Sequence, residues 1–318
     1  MSDSGELRFD SLTREWVNIV GHRQARPNLP ASGCPFCVGG LEAPEPYEVR
    51  WFPNRWPALA HGDPVDLVSA EAAGIEQLPA IGACEVVLFS PEHNESLATL
   101  PVTQVRKVVD LWADRTAALL TRPEVEYVLV FENRGREVGA TIDHPHGQIY
   151  GYSFVPPVPE REAAVARAHG CNVCEEIERE LKAGARVVAE SGDWLAWVPY
   201  ASTYAYGMRF APRRHIGGLP ALDDASRNDL AHLLVDTLAR YEHLWPTTDP
   251  DYLFPYLLWF HQEPAGGGDE WHLHAHVAPP LRSPGVQRYV ASGELGSGTL
   301  ANTVVPEDAA RQLRDAGS

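Results

Sequence analysis

Residues 142–149 read Ile-Asp-His-Pro-His-Gly-Gln-Ile and follow the strand-like run 125–133, Val-Glu-Tyr-Val-Leu-Val-Phe-Glu-Asn. Alternate side chains of a strand point to the same face, so the spacing His-x-His-x-Gln places His144, His146 and Gln148 together. A backbone carbonyl that accepts from one ring nitrogen of His146 leaves a lone pair on the other for nucleophilic attack. The Gln148 amide can hydrogen-bond phosphoryl oxygens but cannot transfer a proton, which favours a covalent intermediate that awaits a second phosphate. We therefore predict His146 and Gln148 as the catalytic residues.

Two Cys-x2-Cys pairs indicate metal binding rather than disulfides. Of the five cysteines, Cys84 lies in the apolar run Cys-Glu-Val-Val-Leu-Phe and is expected in the core. The other four form two pairs, and histidines follow each pair in the same order, which is typical of zinc ligands. The two predicted sets of two cysteines and two histidines are Cys34, Cys37, His93, His144 and Cys171, Cys174, His215, His272. Four protein ligands leave no position for water, so both sites are expected to be structural.

The order of these features is repeated in the two halves of the chain. Each half contains a Cys-x2-Cys pair, a strand-like run, a histidine, a helix, another strand-like run and a His-x-His segment. The helices are predicted over 103–120, with Thr103 as the N-cap, and near 224–245. The proline-containing segment 152–168 is predicted to be a linker. The pattern predicts an α+β fold of two repeats, each an antiparallel sheet with packed helices. The expected repeats are 1–155 and 156–318.

The composition excludes several classes of partner. The 318 residues are 44% hydrophobic and 22% charged, with a formal net charge of −17. Nucleic acids and anionic membranes need a basic surface, so neither is an expected partner. No run approaches the roughly 18 apolar residues of a membrane span, and the first residues lack the basic and apolar segments of a signal peptide. We therefore expect a cytoplasmic protein.

Four stretches of the chain match one known family. They are Phe131–Ile149, Cys34–Cys37, Ser90–His93 and Trp271–Arg282. Together they resemble galactose-1-phosphate uridylyltransferases of the histidine-triad superfamily, over nearly the whole chain. The resemblance implies histidine-triad-like repeats and a ping-pong transfer in galactose metabolism. In that reaction His146 attacks the α-phosphorus of UDP-glucose, glucose 1-phosphate leaves, and galactose 1-phosphate takes the uridylyl group. A nucleoside diphosphate sugar and a sugar 1-phosphate are thus the implied substrates, and a homodimer whose partner chain completes the sugar pocket is the implied assembly.

The resemblance also implies further site residues. Arginines, asparagines and a hydroxyl group match positions that contact the nucleotide or its phosphates. These substrate-binding residues are Arg23, Arg26, Asn54, Asn133 and Thr141, together with Gln148. The second metal of well-studied bacterial members corresponds here to a different ligand set, namely Glu162, His261, His274 and His276. The cysteine set of the second half is instead typical of a two-zinc branch that includes plant ADP-glucose phosphorylase. Thiolate affinity for zinc and the repeated order favour the cysteine set, which gives two zinc ions per chain.

The C-terminal segment differs from the family at the hexose-phosphate positions. Glu294 is retained, but Gly293 and Leu300 stand where the family has a tyrosine and a glutamine. The base, the sugar and the acceptor therefore stay open. The alternative enzyme is a phosphorylase of ADP-glucose or of a dinucleoside polyphosphate that uses the same histidine and inorganic phosphate. An alternative of another class is a catalytically silent nucleotide-binding zinc protein.

Overall fold

The structure is a computed structural model that describes residues 5–25, 33–247 and 252–317. The strands are β1 (Glu6–Asp10), β2 (Glu15–Ile19), β3 (Arg50–Pro53), β4 (Gln77–Pro79), β5 (Gly82–Leu88), β6 (Tyr127–Arg134), β7 (His146–Tyr152), β8 (Val187–Ser191), β9 (Trp194–Trp197), β10 (Met208–Pro212), β11 (Tyr256–His261), β12 (His274–Ala278), β13 (Leu281–Ser283) and β14 (Val286–Gln287). The helices are α1 (Leu67–Ala72), α2 (Val102–Leu120), α3 (Pro157–His169), α4 (Asn172–Ala183), α5 (Asp224–Glu242), α6 (Ser292–Ser297) and α7 (Pro306–Asp315). A search of the described helices finds none with the length and apolar character to span a bilayer.

One antiparallel sheet runs through both halves of the chain. Its strand order is β3-β5-β7-β6-β11-β12-β10-β9-β8, and each neighbouring pair is antiparallel. The halves meet where β6 pairs with β11, with Phe131 opposite Trp259. Outward from this junction, β6, β7, β5 and β3 of the first half correspond in order to β11, β12, β10 and β9 of the second. The predicted α+β fold of two repeats is therefore confirmed, and their sheets are joined edge to edge.

The two long helices share one hydrophobic core with strands of both halves. Trp112 of α2 is 1% exposed, and its ring lies 5.7 Å from that of Phe89 and 5.4 Å from that of Phe260. The Trp112 side chain thus contacts Phe89, directly after β5 of the first repeat, and Phe260 in β11 of the second repeat. Burial of apolar surface on this scale is the main force that stabilises such a core. The repeats are consequently packed as one unit around α2 and α5.

The predicted helices differ from the observed ones mainly at their ends. α2 begins at Val102, and Pro101 precedes it without a side-chain cap, so the prediction of Thr103 as N-cap is wrong. The carbonyl of Pro101 already accepts from the N–H groups of Gln104 and Val105, which places Thr103 inside the first turn. The start of α5 does carry a cap, because Asp223 accepts from the backbone N–H of Ser226 at 2.8 Å.

The segment 152–168, predicted to be a linker, is helical over most of its length, because α3 occupies it from Pro157 onward. Pro157 is the first residue of this helix, and Pro159 lies in its first turn. Proline is tolerated there because the first backbone N–H groups of a helix have no partner within it. The proline count was therefore a poor sign of irregular structure. The helix is important for the site, because α3 carries Glu162 to the sheet.

Cys84 is buried, as expected.

Candidate active site and metal centres

The His-Pro-His-Gly-Gln segment enters the sheet at His146, the first residue of β7. Along β7 the residues Gly147, Ile149 and Gly151 are buried, while His146, Gln148 and the residues at the same alternation are half-buried. His146 and Gln148 therefore share one face, as the spacing indicates. The Nδ1 atom of His146 lies 2.7 Å from the carbonyl oxygen of His144. Because a carbonyl only accepts, Nδ1 carries the hydrogen and Nε2 carries the lone pair.

Two cavities meet at these side chains. The first, of about 230 Å³, is lined by His146, Gln148 and Asn54 and by aromatic and aliphatic residues. Those apolar walls include Phe36, Phe52, Trp56, Val86 and Ile142. The second, of about 140 Å³, is mainly polar and is lined by Arg23, Asn133 and Thr141 as well as by His146. An apolar slot beside a polar pocket fits a nucleobase next to charged phosphates, with the histidine between them.

The structure places most of the predicted substrate-binding residues at these cavities. Arg23, Asn54, Asn133 and Thr141 all line one or both of them together with Gln148. Arg26 lies outside the described residues. The sequence analysis did not identify two neighbours of His146. Phe36, between two ligand cysteines, stands edge-on to the His146 ring at 5.1 Å. Tyr150 lines the polar cavity, and its place two residues after Gln148 in a strand was the available signal.

The first cysteine–histidine set is assembled beside His146, the predicted nucleophile. The ligand atoms of Cys34, Cys37, His93 and His144 lie within 4.8 Å of one another. The Cys37 Sγ atom is 3.5 Å from His93 Nδ1 and 3.7 Å from His144 Nδ1. Zinc with ordinary bond lengths and tetrahedral angles separates sulfur and nitrogen ligands by about 3.6 Å, so the spacing fits the ion.

His144 is fixed from its other side. Its Nε2 lies 2.8 Å from the carbonyl oxygen of Ser90 and 2.9 Å from the Tyr47 hydroxyl. Burial lowers the pKa of His144 to about 4, which keeps the ring neutral at ordinary pH. Burial also raises the pKa of the Cys37 thiol, with the Cys34 thiol as the next contribution. A neutral ring whose Nε2–H meets a carbonyl presents its Nδ1 lone pair to the cysteines, as a metal ligand must.

The second set repeats this arrangement of cysteine sulfurs and histidine Nδ1 atoms. The Sγ atoms of Cys171 and Cys174 each lie 3.3 Å from His272 Nδ1, and Cys174 Sγ is 3.5 Å from His215 Nδ1. The His272 Nε2 atom lies 2.9 Å from the carbonyl oxygen of Pro212, as His144 meets Ser90. Burial lowers the pKa of His272 to about 4 and raises that of the Cys174 thiol to about 12. The two cysteine–histidine clusters thus offer corresponding ligand atoms at similar distances.

The third set, Glu162, His261, His274 and His276, is assembled as well, with its ligand atoms within 4.8 Å of one another. Glu162 Oε2 lies 2.7 Å from His261 Nδ1 and 3.4 Å from His274 Nε2. Burial raises the pKa of Glu162, but the hydrogen bonds to the two histidines outweigh it and hold that pKa well below its usual range. The carboxylate is therefore ionised. His276 stacks on Trp259, and its Nε2 is buried without a hydrogen-bond partner among the described residues.

Two ligand sets that the sequence left as alternatives are therefore present together. They meet in the segment 272–276, where His272 belongs to the cysteine set and His274 and His276 to the carboxylate set. The Nδ1–H of His274 donates to the carbonyl oxygen of His272 at 2.8 Å, as His146 donates to that of His144. His274 is thus the counterpart of His146 in the second repeat, but its Nε2 faces the Glu162 carboxylate.

Glu294 is engaged within its own segment. Its carboxylate accepts from the N–H groups of Ala291 and Ala301 at 2.8 Å each and pairs with Arg288 at 2.7 Å. The two backbone hydrogen bonds lower its pKa. The retained glutamate therefore organises the start of α6 in this chain.

Comparison with known proteins gives a consistent result over the full length. Residues 33–156 match the N-terminal domain of galactose-1-phosphate uridyl transferase, and residues 164–317 match its C-terminal domain. The galactose-1-phosphate uridylyltransferase of Thermotoga maritima is 38% identical over 98% of both chains. A solved uridylyltransferase structure matches with a TM-score of 0.84 at 28% identity, over 98% of both chains. The ADP-glucose phosphorylase of Arabidopsis thaliana with bound ADP-glucose matches with a TM-score of 0.72 at 26% identity, again over 98% of both chains.

Proposed function

The chain belongs to the galactose-1-phosphate uridylyltransferase family, and on that premise we propose that it transfers a uridylyl group from UDP-glucose to a hexose 1-phosphate through His146. The observation that carries the proposal is the His146 tautomer. Its Nδ1–H is held by the His144 carbonyl at 2.7 Å, and its Nε2 lone pair serves as the nucleophile where the apolar and the polar cavity meet. The predicted family is confirmed by the two family models, which match residues 33–156 and 164–317.

The chain's own residues account for both half-reactions. His146 Nε2 attacks the α-phosphorus, an N–P bond forms, and the bond to the oxygen of the β-phosphate breaks, which releases glucose 1-phosphate. Gln148 donates its amide hydrogens to the non-bridging oxygens without giving up a proton, and Arg23 and Thr141 add donors from the polar cavity. A phosphate oxygen of the hexose 1-phosphate then attacks the same phosphorus and the N–P bond breaks. The apolar walls hold the base and limit access of water.

Three metal ions per chain are part of this proposal. Both cysteine–histidine sets have the donor types and spacing of structural zinc sites. The set of Glu162 and three histidines has an ionised carboxylate and an orphaned imidazole nitrogen, which a cation would satisfy. When bound, the ions supply rigid cross-links rather than reaction chemistry. The first set would hold His144, and with it the carbonyl that orients His146. The homodimer and the cytoplasmic location stay predictions.

Intact-protein mass spectrometry after incubation with UDP-glucose tests the function. We expect one added uridylyl group, lost on addition of galactose 1-phosphate. His146→Asn should abolish the adduct, because Asn has no comparable nucleophile. The matched control is His274→Asn, the same substitution at the equivalent position of the second repeat, which should keep it. An adduct on the His146→Asn protein would refute the assignment.

A second candidate function is phosphorolysis of ADP-glucose. It is favoured by the likeness to the Arabidopsis ADP-glucose phosphorylase and by the second cysteine set. The same experiment with ADP-glucose separates the two, because an adenylyl adduct that is released by inorganic phosphate would identify the phosphorylase. No adduct with either donor would leave only nucleotide binding.

A further inference from the structure

We propose that Asn54 is a positioning residue that fixes the orientation of the Gln148 amide, with Tyr150 as a second donor to the same oxygen. Asn54 Nδ2 donates to Gln148 Oε1 at 3.2 Å, and the Tyr150 hydroxyl lies 3.5 Å from the same atom. Asn54 was expected from the family resemblance to contact the nucleotide. The proposal gives it a different task and rests on the proposed function of Gln148.

The orientation of Asn54 is itself determined by the backbone. Its Oδ1 accepts from the backbone N–H of Trp56 at 2.9 Å, and its own N–H donates to the Cys84 carbonyl at 2.8 Å. A backbone N–H can only donate, so the oxygen of the Asn54 amide must face Trp56. The NH2 group must then face Gln148. The residue stands directly after β3, tied to β5, which makes it a rigid donor.

The Gln148 amide is consequently held in one of its two orientations. An amide that receives hydrogen bonds on its oxygen keeps its NH2 group for another acceptor, and that acceptor is the phosphoryl group held by His146. A flipped amide would present its carbonyl oxygen to phosphoryl oxygens that carry negative charge. The side chain of Gln148 has several torsions and would sample both orientations if nothing else bound it. Asn54 therefore determines whether the Gln148 side chain donates hydrogen bonds to the phosphoryl oxygens or repels them with its own carbonyl oxygen.

Tyr150 lies between Gln148 and Arg23, an arginine that lines the polar cavity. Arg23 Nη1 donates to the Tyr150 hydroxyl oxygen at 3.3 Å, and the same hydroxyl lies within donating distance of Gln148 Oε1 at 3.5 Å. The Tyr150 ring stands edge-on to Phe131, with centroids 4.9 Å apart at 88°. Its contact with Gln148 is the longer of the two, so Asn54 is the main determinant.

The test is the Asn54→Asp protein, which keeps the shape of the side chain and the acceptor for Trp56. The outer oxygen of the new carboxylate cannot donate, so Gln148 turns its NH2 group toward that carboxylate and its carbonyl toward the phosphoryl group. We expect the rate of uridylylation to fall on the order of 100-fold, the usual effect of losing one donor to a developing charge. Tyr150→Phe should cost less, because Asn54 still holds the amide.

Two further measurements separate this role from direct binding and from the added charge. In a Gln148→Ala background, Asn54→Asp should cost much less than in the parent, because the residue acts through Gln148 and only the charge penalty remains. At saturating UDP-glucose, Asn54→Asp should lower the rate of uridylylation by a larger factor than it raises the KM for that donor. An equal loss in both backgrounds, or an effect on KM alone, would overturn the proposal. Failure of the parent protein to form any adduct would instead refute the proposed function.

Discussion

Replacing Cys171 with serine tests the second cysteine cluster, and the fold makes the substitution unusually clean. Cys171 is the N-cap of α4, where its sulfur accepts from the backbone N–H of Cys174 at 3.4 Å. Serine is a favoured N-cap residue, so Cys171→Ser keeps the cap and removes only the thiolate. Any large loss of stability is then due to the metal rather than to the helix terminus.

The magnitude follows from what the cluster connects. Its ligands join α4 to the chain after β10, through His215, and to the entry of β12, through His272. Structural zinc supplies about 10–16 kcal/mol in small peptides that do not fold without it. Here α4 also packs through the buried Ile177 onto Leu195 and Trp197, so only a part depends on the ion. We expect a loss of about 3–5 kcal/mol, or roughly 4–8 °C in Tm for a chain of this length that unfolds as one unit.

Elemental analysis combined with thermal unfolding measures both effects. The parent should contain three metal ions per chain and the Cys171→Ser protein two, with the adduct at His146 still formed. A strong chelator should remove most of the difference in Tm between them. Cys84→Ser is the matched control, since it changes a buried cysteine that is not a ligand and should keep all the metal. Full metal content in the Cys171→Ser protein, or a Tm difference that persists in chelator, would refute the reasoning.

Three other predictions concern the active site, the third metal set and a buried acid. Gln148→His should raise hydrolysis of the covalent intermediate relative to transfer, because an imidazolium can give up a proton. Product analysis with and without acceptor measures the ratio of hydrolysis to transfer. An unchanged ratio would contradict the role given to Gln148. His276→Ala should lower the metal content by one ion while both cysteine clusters keep theirs, so elemental analysis that still finds three ions would count against the carboxylate site. Burial raises the pKa of Glu132 to about 7. The protonated, neutral carboxyl therefore adds stability that is fully present below about pH 4.5, and this stability is lost as the pH rises through 7. Glu132→Gln should therefore gain up to about 3 kcal/mol relative to the parent between pH 5 and pH 8, and urea unfolding curves that shift in parallel at both pH values would show otherwise.

Features that depend on short spacing could be predicted from the sequence. The alternation of β7 placed His146 and Gln148 on one face, and the helix predicted near 224–245 is observed as α5. Cys-x2-Cys pairs followed twice by histidines indicated the two clusters that the structure assembles. Each of these predictions depends on the side-chain period of a strand or helix, or on the short spacing between two ligand residues. These are local properties of the chain.

Helix ends and the nature of the linker were less well predicted, because the relevant residues allow two conformations. A threonine near a helix start can cap it or lie within it, and prolines suit both a loop and the first turn of a helix. α3 was missed for this reason, and with it the path that brings Glu162 to the histidines of β11 and β12. The two metal sets of the second half were alternatives at the level of sequence, because the positions of their residues in space were unknown. The structure assembles both sets.

Contacts between distant segments were decided by tertiary structure alone. Asn54 and Gln148 are 94 residues apart, and Tyr47 and His144 are 97 apart, yet each pair is joined by a hydrogen bond of about 3 Å. Such contacts depend on the register of β3, β5 and β7 and on the pairing of β6 with β11, which unites the repeats. Sequence specified which side chains could act, because chemistry and local period belong to the residues themselves. Their tautomers, amide orientations and shared ligands were decided by the packing of the whole sheet, because a hydrogen-bond partner is selected by position in space.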